Sequence, residues 1–136
     1  MFTEAELSYL KDQTLGRVAT QHPDGTLQVS PAAFVWNAER QTIDVTGVGM
    51  ARSRKYRNVA ANGRASIVID DIPSTDPMRV RCLEIRGQAE AVPDAFEPDG
   101  HLDGAVIRIS PRRIISFGVD DPDHAPLELR VHSRDV

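Results

Sequence analysis

Residues 43–69, IDVTGVGMARSRKYRNVAANGRASIVI, change period twice, and that change decides the fold. Ile43-Asp44-Val45-Thr46 alternates apolar and polar residues as a half-buried strand does, then runs into Gly47-Val48-Gly49. Ser53 follows as a plausible N-cap, with Tyr56, Val59 and Ala60 at helical spacing, and Asn62-Gly63 closes the turn. Ala65 to Ile69 returns to a strand rhythm. The unit is strand, glycine-rich loop, short helix, strand.

Arg52, Ser53, Arg54 and Lys55 sit at the start of that helix. Cations there oppose the helix dipole, whose N-terminus already carries partial positive charge and free N–H groups. An anion resolves the conflict, and a phosphate is the usual one. Charge alone leaves a solvated basic turn equally open.

Working outward, the N-terminal side reads as a short helix and two hairpins. Thr3 and Glu6 form a capping box, Phe2 can staple onto Leu7, and Leu7 with Leu10 make a thin apolar face suited to a lid or an edge. Gly16 is expected to end this segment. Arg17 to Thr20 and Leu27 to Ser30 are strands joined by Pro23-Asp24-Gly25, and Ala33 to Trp36 continues to a polar turn at Asn37 to Arg40. On the C-terminal side a loop is expected over Pro73 to Pro77, then one long alternating strand from Val80 to Val92. A second loop covers Pro93 to Gly104. Val106 to Ile109 and Ile114 to Phe117 read as two strands separated by Pro111, and Leu127 to Val131 as an edge strand or a surface for a neighbour. Six or seven strands with tight turns and two short helices predict a mainly β fold. A small antiparallel barrel fits better than a βαβ sheet, with the Ser53 helix closing one opening.

The totals exclude several classes. The chain has 136 residues, a net charge of −4 and a pI near 5.5, so no global field favours nucleic acid or an anionic membrane. Any anion site must be local. Cys82 is the single cysteine, which rules out an intrachain disulfide and a CxxC motif, and no apolar run approaches a membrane span. A reducing cytoplasm is the expected home of one domain covering residues 1–136. His22, His101, His124 and His132 show no metal-ligand spacing, and Ser30 and Ser116 have no evident His–acid partners, so neither a metal site nor a hydrolase triad is expected. Cys82, Trp36 and Phe117 read as core residues of strands. No catalytic residue is nominated.

Two blocks carry a family resemblance. Ala19-Thr20, Pro23-Asp24-Gly25 and Gln28-Val29-Ser30-Pro31 resemble the first hairpin of the pyridoxamine 5′-phosphate oxidase-like split β-barrel flavoproteins. Ser53-Arg54-Lys55, followed by Asn58, Asn62, Ala65 and the strand Ser66 to Ile69, resembles their phosphate-binding unit. The two blocks cover roughly residues 15 to 90. Leu83-Glu84-Ile85-Arg86-Gly87-Gln88-Ala89 and the short chain look most like the branch that uses the deazaflavin F420, where others use FMN. The resemblance implies a homodimeric oxidoreductase that moves a hydride between F420 and a small conjugated substrate. An FMN enzyme of the same fold, or a protein that only carries the cofactor, are the alternatives.

By position, the resemblance gives Arg52, Ser53, Arg54 and Lys55 to the phosphate and Thr46 and Gly47 to the ring or its ribityl chain. Gln28, Ser30, Pro31 and Ala32 would line the ring, and Arg57 and Arg64 are candidates for the acidic tail of F420. Two departures stand out: Val80, Arg81 and Cys82 replace aromatic residues found in some relatives, and Gly47 to Ala51 is about two residues longer. The longer loop leaves the choice between Arg52 and Arg54 open. Arg130-Val131-His132 matches the family's C-terminal Arg-x-His pattern, but its surroundings do not, and it is read as coincidence.

Overall fold

A computed structural model describes all residues except 121–124, 126 and 127. Helix α1 (Glu4–Asp12) is followed by strands β1 (Leu15–Gln21), β2 (Leu27–Asn37) and β3 (Thr42–Thr46). A single 3₁₀ turn (Met50–Arg52) leads into helix α2 (Arg54–Asn62), and then come β4 (Arg64–Thr75), β5 (Met78–Val92), β6 (Val106–Phe117) and β7 (His132–Asp135).

The strands form one antiparallel sheet in the order β3-β2-β1-β4-β5-β6-β7, and β3 also pairs with β6 to close the ring. The closing strand is shared. Ile107 to Ile109 of β6 pair with β3, while Arg113 to Ser116 pair with β7. The expected mainly β barrel is what forms. Its interior is aliphatic: Val18, Ile43, Val45, Ile67, Ile69, Leu83, Ile85, Ile107, Ile109 and Ile114 are buried. Each such side chain contributes about 1.5–3 kcal/mol relative to exposure.

Local chemistry explains the turns. Gly25 takes φ +95°, and the Asp24 carboxylate accepts the Thr26 N–H at 2.8 Å, which sets the β1–β2 hairpin. Ser53 caps α2, its hydroxyl accepting the Tyr56 N–H at 3.2 Å, and Gly63 ends the helix at φ +69° with its N–H on the Val59 carbonyl. The helix then docks on β1, Asn62 donating to the Gln21 carbonyl at 2.7 Å.

Five expectations are corrected. Gly16 does not end α1, which stops at Asp12; it lies inside β1, where a Cβ would meet Ile67 Cδ1 at 2.9 Å. Helix α1 is no lid, because Glu6, Tyr9 and Leu10 are all buried. The Glu6 carboxylate accepts the Thr3 N–H of the capping box and also the Ser116 hydroxyl and the Arg134 guanidinium, two partners far away in sequence that an apolar count over Leu7 and Leu10 misses. The Pro73 to Pro77 loop shrinks to a tight turn at Asp76-Pro77, with β4 and β5 paired up to Thr75 and Met78.

Pro111 does not divide β6. It pairs opposite Gly87 at a register shift, and there the missing proline N–H is tolerated. A Cβ on Gly87 would lie 2.2 Å from the Ser110 carbonyl oxygen, so glycine permits this contact. The edge strand is His132–Asp135 and not Leu127 to Val131. Leu127 lies outside the described residues, while Leu129 and Val131 are exposed and outside any strand.

Candidate functional site

The loop between β3 and α2 is held from below. Met50 is buried, and its carbonyl accepts both the Ser53 N–H at 3.0 Å and the Ser53 hydroxyl at 2.7 Å. Asp103 reaches across from the Pro93 to Gly104 segment, accepting the Ala51 N–H at 3.0 Å and the Ala105 N–H at 3.1 Å. Those two N–H groups hold its carboxyl below the usual range, with help from the Arg52 charge. The proton of Ser53 is therefore committed inside the chain, and the residue shapes the helix start. Among the described residues, the N–H groups of Arg54 and Lys55 have no partner.

The electrostatics of this corner differ from those of the sheet. Arg17, Arg81, Arg86, Arg108, Arg113 and Arg134 each meet a carboxylate of the sheet or of α1. Arg52, Arg54, Lys55, Arg57 and Arg64 form no ion pair with any described residue, and the first turn of α2 holds no acid. Arg52, Arg54, Lys55 and Arg57, none ion-paired to a described residue, thus share the start of α2 with two N–H groups that lack a described partner, while Arg64 follows the far end of the helix at Gly63, in a chain of net charge −4. That arrangement suits a phosphate.

The predicted ring-lining residues divide by strand alternation. Gln28, Ser30 and Ala32 take the inward face of β2 with buried Phe34, while Pro31 takes the outward face with exposed Leu27 and Val29. The hydroxyl of Ser30 is buried without a partner among the described residues. Thr46 pairs with Ala33, which puts the end of β3 beside this stretch of β2, and the α2 loop departs from there. At Gly47 the backbone is ordinary and a Cβ would meet only Met50 Cε at 3.5 Å. The chain's own packing does not require glycine there, so Gly47 leaves open surface beside Thr46. An orphaned hydroxyl, a bare backbone and unpaired cations fit a phosphate-bearing ring cofactor.

Thr20 and Asn58 stand in the two family blocks of the sequence, but reasoning from the sequence gave neither a role in knitting this corner together. Thr20, buried on β1, accepts the Asn58 side-chain N–H at 3.0 Å and donates to Gln28 Oε1 at 3.2 Å. The available signal was a polar residue at an inward position of an alternating strand, two residues after Val18.

The remaining candidates are structural. Burial pushes the Cys82 thiol up to about 11, with Asp70 and Glu84 adding to the shift, which leaves no thiolate at neutral pH. Phe2 packs edge-on against Trp36 at 5.2 Å between centroids. His132 begins β7 with Nε2 at 3.0 Å from Asp120, while Arg130 and Val131 are exposed beside it. Among the described residues, no group of three or more His, Cys, Asp or Glu side chains could hold a metal ion. No described helix is long and apolar enough to cross a membrane.

Comparison with known proteins bears on the family and the fold. A 5a,11a-dehydrotetracycline/5a,11a-dehydrooxytetracycline reductase of Streptomyces rimosus is 43% identical over 136 residues, covering 99% of this chain and 93% of that protein. A solved structure of an F420 reductase superposes with a TM-score of 0.62 at 27% identity, covering 81% of this chain and 95% of its own. A conserved hypothetical protein of Mycobacterium tuberculosis shares the fold with a TM-score of 0.66 at 21% identity, covering 85% and 84% of the two chains. Residues 2–132 match the sequence profile described as pyridoxamine 5′-phosphate oxidase, and the chain belongs to that family.

Proposed function

We propose that this protein is an oxidoreductase that binds F420 and transfers a hydride between it and a conjugated small molecule. One observation carries the reading: the uncompensated cations and free N–H groups at the start of α2. Arg54 and Lys55 hold the phosphate, with Arg52 beside them over Asp103. Arg57 and Arg64, without ion pairs to described residues, favour a cofactor with charge beyond its phosphate, which F420 has and FMN lacks. Gln28, Ser30 and Ala32 edge the ring, and Thr46 and Gly47 flank it. The reduced deazaflavin supplies the hydride when bound. The similarity to a reductase of dehydrotetracyclines supports a polycyclic substrate with a conjugated double bond.

The outward face of β1 and β2 supports a homodimer. Leu15, Leu27, Val29 and Val35 are 49–80% exposed there. Two shallow grooves of about 320 and 280 Å³ run between these strands and β4. A second copy covers this surface. The cytoplasm remains the compartment we assign.

Fluorescence titration of the purified protein with F420 and with FMN tests the reading. Binding of F420 in the low micromolar range and oxidation of its reduced form by cyclic enones are expected. Failure to bind either cofactor sinks the proposal. Tight binding with no turnover across enones and quinones would make it a carrier instead.

A further inference from the structure

Asn58, fully buried on α2, donates from Nδ2 to Thr20 Oγ1 at 3.0 Å. Thr20 sits directly opposite Gln28 in the β1–β2 register, and its hydroxyl lies 3.2 Å from Gln28 Oε1. A hydroxyl has one hydrogen. With Asn58 donating to it, Thr20 delivers that hydrogen to the Gln28 amide oxygen. The Gln28 amide nitrogen then has no partner among the described residues.

The opposite sense is disfavoured by what it would bury. As arranged, Asn58 Oδ1, a carbonyl oxygen at the closed end, is the side-chain atom there that accepts nothing from any described residue. Rotating both amides would raise the number of Asn58 N–H bonds without a described acceptor from one to two in the same buried place. Orphaned buried donors are rarer and costlier than under-used carbonyls. The relay therefore has a direction, from α2 outward to β2. It ends beside Ser30, whose buried hydroxyl has no partner among the described residues and which lies two residues along the same strand face, roughly 6.6 Å away.

From this we infer that Asn58 and Thr20 are positioning residues: they fix the Gln28 side chain as an N–H donor to a carbonyl oxygen of the bound ring. The inference rests on the cofactor reading above. It adds that the recognised edge of the ligand is an acceptor, and that the cap of the barrel sets the polarity of the ring site.

A double-mutant cycle tests it, using Gln28→Ala, Thr20→Val and the pair, with Thr20→Ser as the conservative control. Dissociation constants for F420 and FMN are read by fluorescence. The Gln28 side-chain amide is followed by NMR in the ligand-free protein. Gln28→Ala is expected to weaken binding about five- to tenfold, as for one lost hydrogen bond. Thr20→Val should weaken it several-fold and shift the Gln28 amide resonance, with Thr20→Ser restoring both. The double variant should bind no more weakly than Gln28→Ala alone. Thr20→Ala repeats the cycle should the valine variant not fold. Wild-type affinity in Thr20→Val, or effects that multiply in the double variant, overturns the relay and leaves the cofactor reading standing. A wild-type protein that binds neither cofactor overturns both.

Discussion

Removing the Lys55 ammonium is expected to move stability and binding in opposite directions. Lys55 lies in the first turn of α2, has no ion pair with any described residue and sits beside Arg52, Arg54 and Arg57. Its charge opposes the helix dipole, an effect of about 0.3–1 kcal/mol, and alanine is the better helix former. Lys55→Ala should therefore raise the ligand-free melting temperature by about 1–4 °C. The same substitution deletes one charge-assisted hydrogen bond to the phosphate, about 1.5–3 kcal/mol, or a 10- to 150-fold weaker dissociation constant. Thermal melting without ligand and fluorescence titration with F420 measure the two effects. Lys11→Ala, at the last turn of α1, serves as the control and should leave binding unchanged. Raising the salt concentration should weaken wild-type binding more steeply than that of the variant. An unchanged dissociation constant would remove Lys55 from the site. A melting temperature several degrees lower would show that the lysine has an internal partner and would refute the electrostatic reasoning.

Two stability predictions test the scaffold. Burial pushes the Glu6 carboxyl up, but hydrogen bonds from Arg134, Thr3 and Ser116 more than offset this and hold it below its ordinary value of 4.5. Its contribution is therefore present above that value and lost as pH falls through the lower folded one. Glu6→Gln should cost about 1–3 kcal/mol at pH 7, discounted because the Arg134 side chain is 31% exposed. The deficit against wild type in urea unfolding should shrink toward pH 3, and a pH-independent deficit would contradict the linkage. Gly87→Ala places a Cβ 2.2 Å from the Ser110 carbonyl oxygen, where only backbone movement can relieve the clash. A loss of about 1–3 kcal/mol is expected. A variant within 0.5 kcal/mol of wild type would show that the Gly87–Pro111 bulge relaxes freely.

Much of this was legible in the chain because it depends on neighbours. The capping box at Thr3 and Glu6, the hairpin turn at Asp24-Gly25 and the Ser53 and Gly63 caps all involve groups within a few residues of one another. Local backbone geometry decides them. The basic run at Arg52 to Lys55 was visible for the same reason. Its placement at a helix start follows from period and capping alone.

What the sequence could not show is which charges are spent. Six arginines are paired by strand register or by contacts across the barrel, and only the folded chain reveals that those beside Ser53 are among the ones with no ion pair to a described residue. Glu6 reads as a surface acid until Ser116 and Arg134 arrive from more than a hundred residues away. Pro111 reads as a break until Gly87 meets it across a bulge. Gln28 reads from the sequence only as one of four ring-lining candidates, and the contacts with Thr20 and Asn58 come from the fold. Local sequence therefore determined the elements, the turns and the position of the cationic run. The tertiary structure decided which polar groups remain unpaired, because pairing depends on register and burial between segments far apart in the chain.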